Sequence, residues 1–157
     1  MVLGMKTPMG AIVRRAKIED AEGIAELSGQ LGYPATTDES AERLAEIDAN
    51  EEHRVLVAED KGRLLGWVHV CLPHSLLRDR QAEVVGLVIE EKHKGRGIGR
   101  ALMKHAEHWA KEMGCNSVRL RSNAARQDAH AFYERLGYEV NKSQKVFCKA
   151  LGGRRVE

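Results

Sequence analysis

The chain has 157 residues, of which 43% are hydrophobic and 31% charged, and its formal net charge is +2. This length and composition are typical of one soluble globular domain with a buried core. No apolar run approaches the roughly 20 residues of a membrane-spanning helix, and no signal-peptide-like stretch opens the sequence. We therefore expect a cytoplasmic protein without membrane association, with a single domain over residues 1–157 and loose termini at 1–10 and 152–157.

Three cysteines, Cys71, Cys115 and Cys148, are odd in number and widely spaced. They contain no CxxC pair, and the seven histidines show no metal-ligand spacing. We therefore expect free thiols in a reducing compartment, with no disulfide framework and no metal site.

The first third of the chain predicts one strand and two helices. The apolar run in Ala11–Arg14 indicates a strand. Apolar residues between Ile18 and Leu31 then recur at helical spacing, and the sequence Gly32-Tyr33-Pro34 ends that helix. Thr37 or Asp38 is predicted to cap a second helix that continues to about Ala49.

The middle of the chain predicts a hairpin and a buried strand. The segments 54–59 and 64–70 are strand-like and flank Asp60-Lys61-Gly62-Arg63, which has the composition of a hairpin turn. Ala82–Ile89 is apolar at nearly every position, which is typical of a central strand covered on both faces.

The last third alternates helices and strands. Apolar residues from Ile98 to Met113 form one stripe of a long amphipathic helix, which Gly114 ends. A strand over 116–121, a helix over 124–136 closed by Gly137, and one or two strands within 140–151 complete the chain. The element order predicts an α/β fold, a mixed sheet with helices on its faces.

The most informative segment lies between the buried strand and the long helix. Glycines at 95, 97 and 99 let a ligand approach the backbone closely, and the first N–H groups of a helix are unpaired and attract anions. Positive charge surrounds the same segment, from Lys92, Lys94, Arg96 and Arg100. The segment therefore predicts a site for a phosphate-bearing ligand; a solvated surface loop is the plain alternative.

Other phosphate-binding patterns do not fit these letters. Gly99-Arg100-Ala101 lacks the Gly-Lys-Ser/Thr of a Walker loop, and Arg100 and Leu102 stand where a GxGxxG dinucleotide pattern needs glycine. A nucleic-acid site is disfavoured because the basic segment lacks interleaved aromatic residues and the total charge is balanced.

The sequence Lys94-Gly95-Arg96-Gly97-Ile98-Gly99 resembles the Gln/Arg-x-x-Gly-x-Gly/Ala motif of the GNAT superfamily of N-acetyltransferases. The similarity extends through Leu87–Ile89 upstream, and it includes a second block formed by Asn123 and residues 129–138. Lys94 replaces the usual Gln or Arg, and Glu90 stands where proline is common. Neither change removes a backbone donor, so the resemblance still implies that this segment binds the cofactor of the family.

The resemblance implies a small single-domain GNAT fold. Such a fold has a mixed, mostly antiparallel sheet of six to seven strands, about four helices, and a V-shaped splay between its two central parallel strands. It further implies that acetyl-CoA binds in the splay as cosubstrate and that no metal takes part.

By the same resemblance, the cofactor contacts fall in three groups. The backbone of Leu87, Val88 and Ile89 would bind the pantetheine arm and the thioester carbonyl. Asn123 would bind the same arm, although Asn123 or Ser122 is equally suited to cap the next helix. Main-chain groups of one continuous loop would bind the pyrophosphate: Lys94, Gly95, Arg96, Gly97, Ile98, Gly99 and Arg100.

Two residues are candidates for proton transfer. Tyr133 would give a proton to the departing CoA sulfur; packing as a core tyrosine is its alternative. Glu83 on the buried strand would act as base through water, unless it is simply a carboxylate facing the sheet edge. His69 and His74 are alternative bases.

Tyr33 and His74 lie in loops that similar proteins use to bind the acceptor. The resemblance implies a primary amine of a small molecule or a peptide as acceptor, without identifying it, and a possible homodimer formed through the last strands. A non-catalytic acetyl-CoA-binding regulatory module is the alternative function.

Overall fold

The computed structural model describes residues 10–153 and divides into two compact units, Met1–Arg121 and Ser122–Glu157. The described part of the first unit contains β1 (Ile12–Arg15), α1 (Ala21–Gln30), α2 (Thr37–Asp48), β2 (His53–Asp60), β3 (Arg63–Cys71), β4 (Ala82–Ile89), α3 (Ile98–Glu112) and β5 (Val118–Leu120). The described part of the second contains α4 (Gln127–Arg135). The predicted loose termini fall almost entirely outside the described residues.

The five strands form one sheet in the order β1-β2-β3-β4-β5. The first four are antiparallel to their neighbours, and β5 is parallel to β4. This arrangement confirms a mixed, mostly antiparallel sheet with one parallel pair. It also confirms the α/β class, and the four predicted helices are present.

The predicted number of six to seven strands is wrong, because the described residues form five. Residues 139–150 contain no strand. The polar run Asn141–Lys145 interrupts the alternation that a half-buried strand needs. Of the apolar residues around it, Val140 is 75% exposed and Phe147 88%, so this segment has no apolar face buried against a layer.

Helices cover both faces of the sheet in the first unit. Trp67 of β3 packs against a cluster that includes Leu44 of α2 and Val57 of β2. The preceding residue, Gly66, lies against Leu102 of α3. Because successive strand residues point to opposite faces, α2 and α3 lie on opposite sides of the sheet.

The predicted apolar stripe of α3 is confirmed over most of its length. Its buried side chains include Ile98, Leu102, Ala106 and Trp109, whereas Met113 at the end of the stripe is only partly buried. None of the helices described within residues 10–153 has the length and apolar character needed to cross a bilayer.

Glycine ends three of the helices, as predicted. Gly32, Gly114 and Gly137 come after α1, α3 and α4 with φ of 91°, 84° and 93°. After α1, Tyr33 N donates to Ser28 O at 3.0 Å, which is the Schellman pattern. The glycines thus predicted the ends of three helices.

Caps and turns agree with the sequence to within a residue. Thr36, rather than the predicted Thr37 or Asp38, caps α2, since its side chain accepts a hydrogen bond from Glu39 N at 3.1 Å. The predicted hairpin turn is confirmed: Lys61 and Gly62 have φ of 50° and 81°, which is a two-residue type I′ turn.

The cysteines are free thiols, as the sequence predicted. Cys71 and Cys115 are buried and Cys148 is exposed.

Candidate functional site

The parallel pairing of β4 and β5 is very short. It consists of three residue pairs and ends at Val84 and Leu120. The next residue, Val85, is a β-bulge, because the register with β3 passes from Val84 directly to Gly86. Bulges bend a strand and disrupt its ladder, so β4 changes course where its parallel partner stops. The predicted splay between the parallel strands begins at this bulge.

Val85 also departs from the prediction of a strand covered on both faces. Its side chain is 51% exposed. The extra residue at a bulge is left out of the pairing between the strands, which explains why an apolar residue of a central strand faces solvent.

The half of β4 beyond the bulge has a free backbone edge. Glu90 N donates to Leu65 O at 2.8 Å, so residue 90 directs its backbone groups toward β3. Because this direction alternates along an antiparallel ladder, Leu87 and Ile89 direct theirs toward the opposite edge. No described strand pairs with that edge beyond Val84. An extended ligand can bind there through strand-like hydrogen bonds.

β4 leads into residues Lys94–Arg100, which we call the pyrophosphate loop. Gly95 and Gly97 have φ of 78° and 85°, a conformation that favours glycine, and Gly97 is the N-cap of α3. The first helical hydrogen bond runs from Ala101 N to Gly97 O at 3.0 Å. The N–H groups of residues 98–100 precede it and have no partner within the helix.

The surroundings of the pyrophosphate loop are positively charged. Arg96 and Arg100 are exposed, and Lys94 pairs with Glu91 at 2.8 Å between Nζ and Oε2. The first turn of α3 contains no acidic residue. Unpaired N–H groups, a helix dipole and adjacent cations together suit a diphosphate. The residues present therefore fit the diphosphate of coenzyme A.

Glu90, noted in the sequence only for replacing proline, is a buried carboxylate beside an arginine and a histidine. Its side chain is 7% exposed and accepts a hydrogen bond from Arg63, while His93 Nδ1 lies 2.6 Å from its second oxygen. Arg63 precedes it by 27 residues. The sequence contained no local signal for this contact.

Glu83 lies on β4 just before the bulge and is largely buried, with 14% of its side chain exposed. Arg121 Nε lies 3.5 Å from Glu83 Oε1, and Cys71 is its pairing partner on β3. Burial and then the charge of Glu83 raise the pKa of Cys71, which keeps that thiol protonated. Glu83 is therefore an ion-paired carboxylate near the start of β4, and its role as base stays a prediction.

Two histidines meet near Glu83. His53 Nδ1 and His69 Nε2 lie 2.9 Å apart, on the neighbouring strands β2 and β3. Burial and the adjacent His53 lower the pKa of His69 to about 4, so its imidazole is neutral at pH 7. We call His53, His69, Cys71, Glu83 and Arg121 the strand cluster.

Sequence reasoning named His69 but missed His53. The hairpin turn pairs Asp60 with Arg63, and an uninterrupted ladder would put His53 and His69 on opposite faces. A register shift between Ala58 and Glu59 moves the pairing by one residue, so that His53 faces Cys71 and His69 faces Val55. The shift places both imidazoles on one face.

Tyr133 belongs to the second unit, on α4. Burial raises the pKa of its phenol, and the positive Arg126 partly offsets this effect. The phenol is therefore protonated at neutral pH, as a proton donor must be. The rings of Phe132 and Tyr138 lie 5.1 and 6.0 Å from it, centroid to centroid. Its place beside the CoA sulfur stays a prediction.

Asn123 forms a turn and does not cap α4. Its Oδ1 accepts a hydrogen bond from Ala125 N at 2.9 Å, and its carbonyl oxygen lies 2.9 Å from His130 Nε2. The N-cap position of α4 is Arg126, so neither Asn123 nor Ser122 occupies it. The predicted contact of Asn123 with pantetheine stays a prediction.

The two predicted acceptor residues lie in different surroundings. The side chain of Tyr33 is 71% exposed just beyond α1. His74 Nε2 pairs with Glu52 Oε2 at 2.7 Å, and its side chain is 83% exposed. Within residues 10–153, no three His, Cys, Asp or Glu side chains are grouped to hold a metal ion.

A split mixed sheet that leads into a basic, glycine-rich helix start defines an acetyltransferase fold. The family model described as "Acetyltransferase (GNAT) family" matches residues 21–138, and the chain belongs to that family.

Individual relatives agree with this assignment. Aminoglycoside N(6')-acetyltransferase type 1 of Stenotrophomonas maltophilia is 28% identical over 144 residues, with 88% of this chain and 93% of the relative covered. Aminoalkylphosphonate N-acetyltransferase of Salmonella typhimurium is 30% identical over 145 residues, with 88% and 90% covered. A solved aminoglycoside N-acetyltransferase, AAC(6')-Iy in complex with CoA, has the same fold with a TM-score of 0.82 at 16% identity, covering 92% of this chain and 99% of its own.

Proposed function

We propose that this GNAT N-acetyltransferase transfers the acetyl group of acetyl-CoA to a primary amine of a small molecule or peptide by direct attack. The observation that carries the proposal is the free edge of β4, which runs directly into the unpaired N–H groups of the pyrophosphate loop. A solved structure of similar fold contains CoA, which supports this choice of ligand.

The length of the free edge suits the arm of the cofactor. From Gly86 to Glu90 an extended strand rises about 13 Å, at ~3.3 Å per residue, comparable to an extended pantetheine. Leu87 and Ile89 would offer backbone hydrogen bonds along it, with Val88 between them. With the diphosphate held at residues 95–100, the thioester would lie near the bulge at Val85.

The thioester supplies the activated acetyl group, and the chain has to manage the protons. An alkylammonium of pKa about 10.4 must lose a proton before attack. Glu83 would accept it through water, since this carboxylate lies on β4 one residue before Val84, where the parallel pairing ends. The new C–N bond would form as the C–S bond breaks, and the nitrogen would lose its second proton to solvent, from which the phenolate of Tyr133 is reprotonated after it has protonated the sulfur.

Tyr133 would return one proton to the departing sulfur, so each turnover releases one proton overall. Its protonated phenol at neutral pH supports this role. His69 lies on β3 with its Nε2 2.9 Å from His53 Nδ1, whereas Glu83 lies on β4 next to the end of the parallel pairing. We therefore assign the base role to Glu83 on the ground of position.

The acceptor is best sought among the chemistries that the relatives' names indicate. One relative is named for aminoglycosides and another for aminoalkylphosphonates. Tyr33 and His74 would contact the acceptor. A homodimer and a cytoplasmic location stay predictions, and the first can be checked by sedimentation.

Two measurements test the proposal. Titration calorimetry with acetyl-CoA should show one site per chain. A screen that monitors free CoA thiol with aminoglycosides, aminoalkylphosphonates, polyamines, amino acids and peptides should then give turnover with at least one class. Binding without turnover across the panel would favour the regulatory module, and no binding would overturn the proposal.

A further inference from the structure

Glu90 connects the start of β3 with the turn that follows β4. Its carboxylate accepts from Arg63, the first residue after the hairpin turn, and its second oxygen contacts His93 Nδ1 at 2.6 Å. Its backbone N–H donates to Leu65 O at 2.8 Å, and its carbonyl accepts from His93 N at 2.9 Å. Side chain and backbone thus bind the same two neighbours, the start of β3 and the turn after β4.

A second contact anchors the same turn from α1. The backbone N–H of Glu91 donates to Gln30 Oε1 at 3.3 Å. The short 3₁₀ turn Glu91–His93 is therefore held on both sides, and the pyrophosphate loop begins at the next residue, Lys94.

Burying a carboxylate is costly unless cations and hydrogen bonds compensate for lost water. At 7% exposure Glu90 is one of two buried polar or charged residues among those described. The Arg63 guanidinium offsets this cost, and the close contact of the second carboxylate oxygen with His93 Nδ1 makes the geometry of the connection depend on all three side chains.

Rigidity at this position matters because the pyrophosphate loop is the next segment of the chain. A glycine-rich loop has more backbone freedom to lose on binding than any other segment of equal length. Holding the residues just before it in their bound position reduces that loss, and preorganisation of this kind raises affinity without adding a contact to the ligand.

We infer that Arg63, Glu90 and His93 form a positioning device for the pyrophosphate loop, one that sets the affinity for the diphosphate half of coenzyme A. The inference rests on the proposed function and deepens it. None of the three side chains needs to touch the ligand, so the device acts on cofactor affinity and leaves the proton-transfer groups unaffected.

The experiment measures the dissociation constants of three ligands by calorimetry: coenzyme A, adenosine 3′-phosphate 5′-diphosphate and S-acetylpantetheine. The second ligand carries the diphosphate, and the third lacks it. Glu90→Gln removes the buried charge at constant shape. His93→Ala removes the second contact, and His93→Asn retains an N–H donor near the position of Nδ1.

A matched control removes an exposed carboxylate away from the loop. Glu39→Gln breaks the solvent-exposed pair with Arg43 on α2, and such pairs contribute little. Melting curves and circular dichroism establish that each variant is folded.

For Glu90→Gln and His93→Ala we expect about tenfold weaker binding of coenzyme A and of the diphosphate fragment, a typical gain from preorganisation. S-acetylpantetheine should bind as to the wild type, and His93→Asn should restore most of the loss. Equal weakening of both fragments would indicate a general structural role and overturn the inference, as would unchanged binding of coenzyme A by folded Glu90→Gln. If the wild type binds coenzyme A and the variants match it, only this inference fails; if the wild type does not bind, the proposed function fails with it.

Discussion

The two ends of β4 present different kinds of chemical group. At its carboxyl end, the pyrophosphate loop offers main-chain N–H groups from one continuous stretch of sequence. At its amino end, the strand cluster consists of side chains from β2, β3 and β4 and from the end of β5. Two pairs already form within it, His53 with His69 and Glu83 with Arg121. A backbone donor cannot be deleted by substitution, only obstructed, whereas a side-chain group can be removed directly. The loop is therefore vulnerable to added bulk and the cluster to lost functional groups.

The largest effect should come from obstructing the loop. We expect Gly99→Glu to abolish acetyl-CoA binding, a loss of more than about 100-fold, because a carboxylate on the first turn of α3 would repel the diphosphate. Gly97→Asp should do the same. Calorimetry checks both, with Lys111→Glu at the far end of α3 as the control that adds negative charge without obstruction. Wild-type affinity in Gly99→Glu would show that the diphosphate binds elsewhere.

Removal of the Glu83 carboxylate tests the other end of β4. We expect Glu83→Gln to lower kcat about 100-fold, the lower range for loss of a general base, with the acetyl-CoA dissociation constant within about twofold. Steady-state kinetics with the acceptor found in the screen would measure this. Glu46→Gln on the exposed surface of α2 is the control. Equal turnover of Glu83→Gln and wild type would exclude Glu83 as base.

Tyr133→Phe should have a smaller effect on turnover. Water can also protonate a thiolate of pKa near 8.5, so we expect kcat to fall about tenfold while acetyl-CoA affinity is retained. The matched variant Tyr33→Phe should change the acceptor KM and leave kcat intact. If Tyr133→Phe turns over normally, its ring serves packing alone.

The last prediction concerns stability rather than ligand binding or turnover, and it comes from the histidine pair. An unfolded His69 has a pKa of about 6.5, and burial lowers it to about 4 in the folded chain. The unfolded state binds more protons between these values, so the free energy of unfolding falls as pH drops from about 6.5 to about 4. His69→Asn should remove up to about 2 kcal/mol of this dependence, after allowance for partial exposure. Urea titrations at pH 7 and 4.5 measure it; an unchanged difference would contradict it.

Local chemistry made much of the fold predictable. Glycine at 32, 114 and 137 marked helix ends because only glycine takes a left-handed conformation without strain. Lys61-Gly62 marked the hairpin for the same reason. The backbone conformation of residues 94–100 was predictable, because the glycine spacing and the adjoining helix specify it directly; diphosphate binding there stays a prediction.

The features missed in the sequence depend on contacts between distant residues. Nothing in the sequence around Val85 distinguishes a bulge from a regular strand. The contact between His53 and His69 depends only on the register shift between Ala58 and Glu59. Glu90 was noted only as a replacement for proline, because its partner Arg63 is distant in sequence. The strands predicted within residues 140–151 rested on apolar residues, such as Val140 and Phe147, that are exposed in the structure. Pairing register is not encoded by composition.

The inserted residue at Val85 has a thermal consequence. Beyond it, the backbone groups of Leu87 and Ile89 that face away from β3 meet no described strand, so the unliganded sheet forgoes backbone bonds that a continuous ladder would supply. A ligand that occupies this edge supplies them and binds the folded chain alone, so saturation to 100 times its dissociation constant adds about 2.7 kcal/mol. The melting temperature of this protein should therefore rise with the concentration of coenzyme A, and the Gly99→Glu variant should melt at the same temperature with or without it.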